Sequence, residues 1–216
     1  MTQDLVVAID GPAGAGKSTV AKALANALKL KYLDTGAMFR AVTSLALSSG
    51  TDVHDEAGVS SIAETMDLVM EDGSVFANGI NVTADIRSIA VTNAVSTVAA
   101  NPRVRSNMRD RQREWSHLNS GGVIEGRDIG TVVFPDAVLK VYLTASPRVR
   151  AERRVSEAGG NIDEIERSIA ERDLKDSTRA DSPLQESADS VLVDTSNRAI
   201  DEIVNSIVAL VSDRIK

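Results

Sequence analysis

The chain has 216 residues, of which 43% are hydrophobic and 25% charged, with no cysteine and a formal net charge of −7. That length suits one domain of ordinary size, or a domain carrying an insertion, with a sizeable buried core. The lack of cysteine excludes disulfides, thiolate metal sites and cysteine nucleophiles, and it fits a reducing cytoplasm. The opening Met1-Thr2-Gln3-Asp4-Leu5 has neither the basic start nor the apolar stretch of a leader. No run reaches the roughly 18 apolar residues of a membrane span, so a cytoplasmic location with no membrane partner is expected.

Charge is unevenly spread. Residues 100–180 hold 15 Lys and Arg against 13 Asp and Glu, leaving +2 there and −9 elsewhere, and 13 of the 17 arginines fall in that window. An acidic chain lacks the broad cationic footprint of nucleic-acid binding, so no nucleic-acid partner is expected. A local arginine excess suits a compact anion such as phosphate or carboxylate. It equally suits solvated helix faces laced with ion pairs.

Taken in chain order, Leu5-Val6-Val7-Ala8-Ile9-Asp10 reads as a buried parallel strand ending at Gly11. Thr19 to Leu28 follows as a helix with Val20, Leu24 and Leu28 on one face. Tyr32-Leu33-Asp34 is a second brief strand, and a helix runs from there through about Leu47. Residues 67–83 break the pattern: Asp72-Gly73 and Asn78-Gly79 separate short β-prone pieces, which predicts a small antiparallel meander. Further strands are expected at Val123–Glu125, Val138–Leu143 and Val191–Asp194, with a last helix from Arg198 to Ile215. Strand–helix alternation predicts an α/β fold, a parallel sheet flanked by helices, with the meander inserted.

Between the first strand and first helix stand Gly11, Pro12, Ala13, Gly14, Ala15, Gly16, Lys17, Ser18 and Thr19. They satisfy G-x-x-x-x-G-K-[ST] in its required strand–loop–helix context. Glycines let the backbone wrap closely around a phosphate, and the helix start adds partial positive charge. Lys17 is placed for the β- and γ-phosphates of ATP, and the Ser18 hydroxyl for Mg2+. A GTPase would also carry N-K-x-D and D-x-x-G, and neither is present. His54 and His117, the two histidines, sit in polar surroundings and read as surface residues, and Trp115 reads as packing.

Arg172, Asp176 and Arg179 are spaced to share one stripe if their helix continues. The spacing suits either a phosphate-and-sugar clamp or a surface ion pair. Arg105, Arg109 and Arg113 form a second stripe, read as a solvated face with one member turned inward. Arg127 and Asp128 directly follow a predicted parallel strand, where ligands of open α/β sheets collect.

These residues together resemble the bacterial cytidylate kinases, a family in the nucleoside monophosphate kinase group of phosphate-loop proteins. Besides the loop, the likeness rests on D-T-G-A-M-F-R at 34–40, N-A-V-S at 93–96, P-R-V-R at 102–105, G-R-D-I-G-T-V-V-F-P-D-A at 126–137, E-R-D-x-x-D-x-x-R at 171–179 and S-P-L at 182–184. The resemblance implies one phosphate-loop kinase core over 1–216. Within it are a monophosphate-binding region at 35–100, which includes the meander, and a short lid at 148–162 in which Arg153 and Arg154 face ATP. It implies transfer of the ATP γ-phosphoryl group to CMP or dCMP by a monomer in pyrimidine nucleotide metabolism. Arg40, Arg127, Arg172 and Arg179 are then the clamps on the CMP phosphate, and Ser96, Arg105 and Asp128 the readers of cytosine. Asp176 is a ribose contact with Arg172, and Thr35 keeps a hydroxyl where the family often has serine. Lys17, Arg127 and Arg172 become the catalytic cations. Glu125 stands where an aspartate is more familiar. Because the acceptor is an anionic phosphate oxygen, no general base is needed, and catalysis reduces to alignment and charge stabilisation in a water-excluding site.

Overall fold

A computed structural model describes residues 4–71 and 73–215. The Asp72 half of the expected Asp72-Gly73 turn lies outside the described residues. The elements in order are β1 (Leu5–Asp10), α1 (Lys17–Leu28), β2 (Tyr32–Asp34), α2 (Thr35–Ser48), α3 (Glu56–Thr65), β3 (Leu68–Glu71), β4 (Ser74–Ala77) and β5 (Ile80–Asn81). They continue with α4 (Ile89–Ala100), α5 (Pro102–Leu118), β6 (Gly121–Glu125), β7 (Leu139–Thr144), α6 (Pro147–Ala158), α7 (Ile162–Thr178), β8 (Val191–Asp194) and α8 (Ile200–Arg214). The chain divides into two compact units, one of Met1–Leu33 with Trp115–Lys216 and one of Asp34–Glu114.

In the first unit the β-branched run of β1 lies at the middle of a five-stranded sheet ordered β2-β6-β1-β7-β8. β1 pairs in parallel with β6 and β7, and β7 pairs in parallel with β8. Val7, Ile9, Val123, Val141 and Leu143 from the strands meet Leu24 of α1 and Ile203 and Ile207 of α8 in one buried cluster. Each such side chain removed from water contributes about 1.5–3 kcal/mol before chain entropy is counted. Beyond β1 the backbone turns at Gly11, whose φ is 143° and whose hypothetical Cβ would sit 2.0 Å from the Leu143 carbonyl oxygen. Only glycine lets the chain leave the sheet so close to β7.

The second unit holds α2, α3, the three-stranded meander β3-β4-β5, α4 and most of α5. Asn78 and Gly79 both have positive φ, 52° and 77°, as a two-residue hairpin turn of this kind requires. The Asn78 side chain fixes the turn by accepting the Asp67 N–H at 2.9 Å. Asp34 caps α2 by accepting the Ala37 N–H at 2.9 Å, and Arg87 pairs with its other oxygen at 2.7 Å.

One expectation is corrected. Arg179 does not continue the helical stripe: α7 ends at Thr178, and Arg179 is already extended, with φ −63° and ψ 145°. The Leu184 N–H reaches back to the Asp176 carbonyl at 2.8 Å, and the Arg179 Nε binds the Ser182 carbonyl at 2.6 Å. The helix end is closed by the returning chain, with Pro183 just beyond.

Candidate active site

Residues 11–19 connect the carboxyl end of β1 to the start of α1. Every loop carbonyl from Gly11 to Ala15 has a donor. Gly11 is bound by Arg127, Pro12 by the Lys17 ammonium at 2.8 Å, Ala13 by Arg150, Gly14 by Arg153 and Ala15 by the Thr195 hydroxyl. A trans peptide points its N–H away from its C=O, so the carbonyls of Ala13, Gly14 and Ala15, held by Arg150, Arg153 and Thr195, turn the N–H groups of Gly14, Ala15 and Gly16 the opposite way. The Ala13 N–H is itself held by Asp173 Oδ1 at 3.2 Å. Ser18 and Thr19 open α1 and are exposed.

Around this loop the first unit gathers Arg127, Asp128, Arg172, Asp176 and Arg179. Arg127 follows β6 and pairs with Asp176 through its Nε at 2.9 Å, while its Nη1 donates to the Gly11 carbonyl at 2.9 Å. Arg179 approaches Asp128 at 3.5 Å. Arg172 lies one turn before Asp176 at 4.0 Å, and its buried Nε makes no hydrogen bond. A buried donor without an acceptor is costly unless something else supplies one.

The charges press on one another. Burial first, then the nearby Arg127 and Arg172, lowers the Lys17 pKa to about 7. Burial first, then Arg127, lowers that of Arg172 to about 10. For Arg127, burial works the same way, but Asp176, Asp173 and Glu125 outweigh it and hold the guanidinium more firmly charged than usual. Asp176 is the converse: burial opposes its ionisation, and Arg127, Arg172 and Arg179 overcome that and depress its pKa. Asp10, buried at the end of β1, is raised to about 6 mainly by burial, although the N–H groups of Ile129 and Gly130 donate to it at 2.9 and 2.7 Å. Those bonds fix the π-helical turn Ile129–Val133, and with it the preceding Arg127-Asp128 pair.

Thr35, Arg40, Ser96 and Arg105 belong to the second unit. Thr35 opens α2 and is buried. Arg40 donates to the Ile86 carbonyl and the Thr92 hydroxyl, both at 2.9 Å. Ser96 sits one turn further along α4 and is half-buried. Arg105, 2% exposed, donates to the Ala99 carbonyl at 3.1 Å and lies 5.3 Å from the centre of the Phe39 ring. Of the second arginine stripe, Arg105 is thus the member that turns inward, while Arg113 is exposed.

Sequence reasoning missed Arg150, Asp173 and Thr195 behind the loop, and Asp10 and Tyr32, the last of which donates to Glu125. A carboxylate ending an otherwise apolar strand was a usable signal for Asp10. Nothing local distinguishes Arg150 from Arg148, Arg153 or Arg154. Arg153 is engaged by Thr195 as well as Gly14, and Arg154 pairs with Glu157 at 3.1 Å.

Among the described residues no group of three or more His, Cys, Asp or Glu could hold a metal ion. That donor set does not make a protein cage. It does fit Mg2+ taken up with nucleotide phosphates, which needs one hydroxyl such as Ser18 and otherwise phosphate and water oxygens. No helix of the described residues is long and apolar enough to cross a membrane.

A parallel sheet whose central strand runs through this loop into a helix, ringed by buried and half-buried cations, defines a phosphate-loop protein. Among solved structures, an uncharacterized protein from Eubacterium ventriosum shares this fold with a TM-score of 0.56 at 10% identity, over 96% of this chain and 98% of that one. A family profile described as cytidylate kinase matches residues 7–213. The cytidylate kinase of Listeria monocytogenes is 45% identical over 218 residues, covering 97% of each chain. That of Mycobacterium leprae is 45% identical over 216 residues, covering 98% of this chain and 97% of its own. The chain belongs to the cytidylate kinase family.

Proposed function

We propose that the protein transfers the γ-phosphoryl group of ATP to CMP or dCMP, giving ADP and CDP or dCDP. The observation that carries this reading is a group of mutually repelling cations beside a phosphate loop, Lys17 buried and Arg127 and Arg172 half-buried, the last with an unbonded buried Nε. Such a site gains most from an anion that satisfies several cations at once.

In the reaction, an oxygen of the acceptor phosphate attacks the γ-phosphorus. The bond to the β,γ-bridging oxygen breaks, and its electron pair leaves on ADP. The acceptor is already anionic, so no side chain has to remove a proton. The loop residues 11–19 hold the donor phosphates, and Lys17 bears on the transferring group. Arg127, Arg172, Arg179 and Arg40 clamp the CMP phosphate, with Asp176 and Arg172 on the ribose. Ser96, Arg105 and Asp128 read cytosine, and the Thr35 hydroxyl lies with the acceptor set. Ser18 would hold Mg2+, which when bound neutralises charge on the donor phosphates. Residues 35–100 are the monophosphate-binding region, and residues 148–162, most of α6 with the Gly159-Gly160 turn after it, are the lid. We place the protein in the cytoplasm as a monomer acting on nucleotides rather than nucleic acid.

ADP release with ATP and Mg2+ against CMP, dCMP, UMP, AMP and shikimate tests the proposal. CMP and dCMP should give the highest kcat/KM. Turnover with either no faster than without an acceptor sinks it.

A further inference from the structure

Helix α7 reaches the phosphate loop twice, three residues apart. Asp176 holds Arg127, whose Nη1 donates to the Gly11 carbonyl. Asp173 holds Arg150, whose Nη1 donates to the Ala13 carbonyl at 3.0 Å. Asp173 also accepts the Ala13 N–H at 3.2 Å, so both polar groups of one residue are gripped by a single ion pair. The two pairs differ in what is left over. Arg150 is 6% exposed, and its Nε is spent on the Ala145 carbonyl at 3.1 Å. Both its Nε and its Nη1 are thus taken up by protein acceptors. Gly14 rests against it: a Cβ there would lie 3.0 Å from the Arg150 Cβ and 3.2 Å from its carbonyl oxygen.

We infer that Arg150 and Asp173 are a positioning pair that grips the phosphate loop at Ala13 from outside and sets it in its anion-binding shape in advance. With the Ala13 carbonyl fixed outward, the planar trans peptide turns the Gly14 N–H inward. The Thr195 hydroxyl, 3.0 Å from the Ala15 carbonyl, does the same for Gly16. A loop held in this way loses little freedom when phosphate arrives, which is how preorganisation favours binding. Asp173 adjoins Arg172, so one helix bears both the grip on the donor loop and a cation of the acceptor clamp.

The inference rests on the reading that the loop takes the phosphates of ATP. Its test is calorimetric titration with ATP–Mg2+ and, separately, with CMP. The double variant Arg150→Met/Asp173→Leu removes both charges together, because deleting one would strand the other in a largely buried site. The expected result is an ATP Kd raised about tenfold or more with the CMP Kd within about twofold of wild type. Arg150→Lys, which keeps the charge but not the fork, should fall between. Cooperative urea unfolding checks the fold, and should the double variant not fold, the same criterion applied to Arg150→Lys decides. Wild-type ATP affinity in a folded variant overturns the inference, as does equal loss of ATP and CMP affinity. A wild-type protein that fails to bind ATP overturns the donor reading itself.

Discussion

Two buried polar arrangements, one in each unit, are built on opposite terms. In the second unit Asn101 is fully employed: its Nδ2 donates to the Glu56 carbonyl at 2.9 Å, while its Oδ1 takes the Ser60 hydroxyl and the Arg103 N–H. Arg111 likewise reaches back from α5 to the carbonyls of Ala63 and Met66 at 3.2 and 2.8 Å, closing the end of α3. In the first unit Arg172 keeps an unbonded Nε, and Lys17 is pushed toward neutrality by burial and neighbouring cations. Buried polar groups with all their partners stabilise the fold. Those short of partners cost stability and are tolerated where a ligand completes them.

Four substitutions break or sharpen this contrast. Lys17→Met should have the largest effect, lowering kcat about a thousandfold, since it deletes a preorganised charge from the transferring group. A steady-state assay showing less than a tenfold loss would remove Lys17 from the machinery.

Asp10→Asn comes next and is read through pH. The folded pKa of Asp10, about 6, lies above its ordinary value of 3.8. The native protein therefore binds the extra proton between those values, and the stability from this group is full below about pH 4 and is lost as pH rises through 6. That gap corresponds to about 3 kcal/mol. Unfolding free energies of wild type relative to Asp10→Asn should accordingly fall by about that amount from pH 4 to 7. A difference that stays flat contradicts the assignment.

Arg172→Leu should lower kcat/KM for CMP about a hundredfold, near 2.7 kcal/mol, while the unfolding midpoint holds or rises because a half-buried cation with an unbonded Nε is gone. A lowered midpoint would class Arg172 with the stabilising group. Arg111→Met should do the reverse at smaller scale, costing about 1–2 kcal/mol of stability with kcat and KM near wild type. Altered kinetics in that variant would undo the distinction between the two arrangements.

What the sequence discloses follows the range of each interaction. The loop at 11–19 is contiguous and its glycines have a local reason, so pattern alone places it. Asn78-Gly79 marks its turn for the same reason, and Arg127-Asp128 is found because a strand end is locally visible. Arg150 and Asp173 are different: their roles arise where α6 and α7 pack behind the loop, and each looks like its charged helical neighbours. Arg179 misled because i, i+3 and i+4 spacing presumes a helix that the returning segment at Ser182–Leu184 ends. The division into units was also silent, since one boundary falls at Leu33–Asp34 and the other inside α5, with no run of turn residues at either.

Trp115, the chain's single tryptophan, lies on the β6 side of the second of those boundaries. Its ring covers Gly122 so closely that a Cβ there would come within 2.8 Å of it. The protein thus carries a built-in optical reporter seated against the parallel sheet. Indole emission follows the melting of the parallel sheet, whereas far-ultraviolet circular dichroism sums the helices of both units. Superimposable curves from the two signals would mean that the units unfold as one cooperative body, and separated curves that Asp34–Glu114 melts on its own.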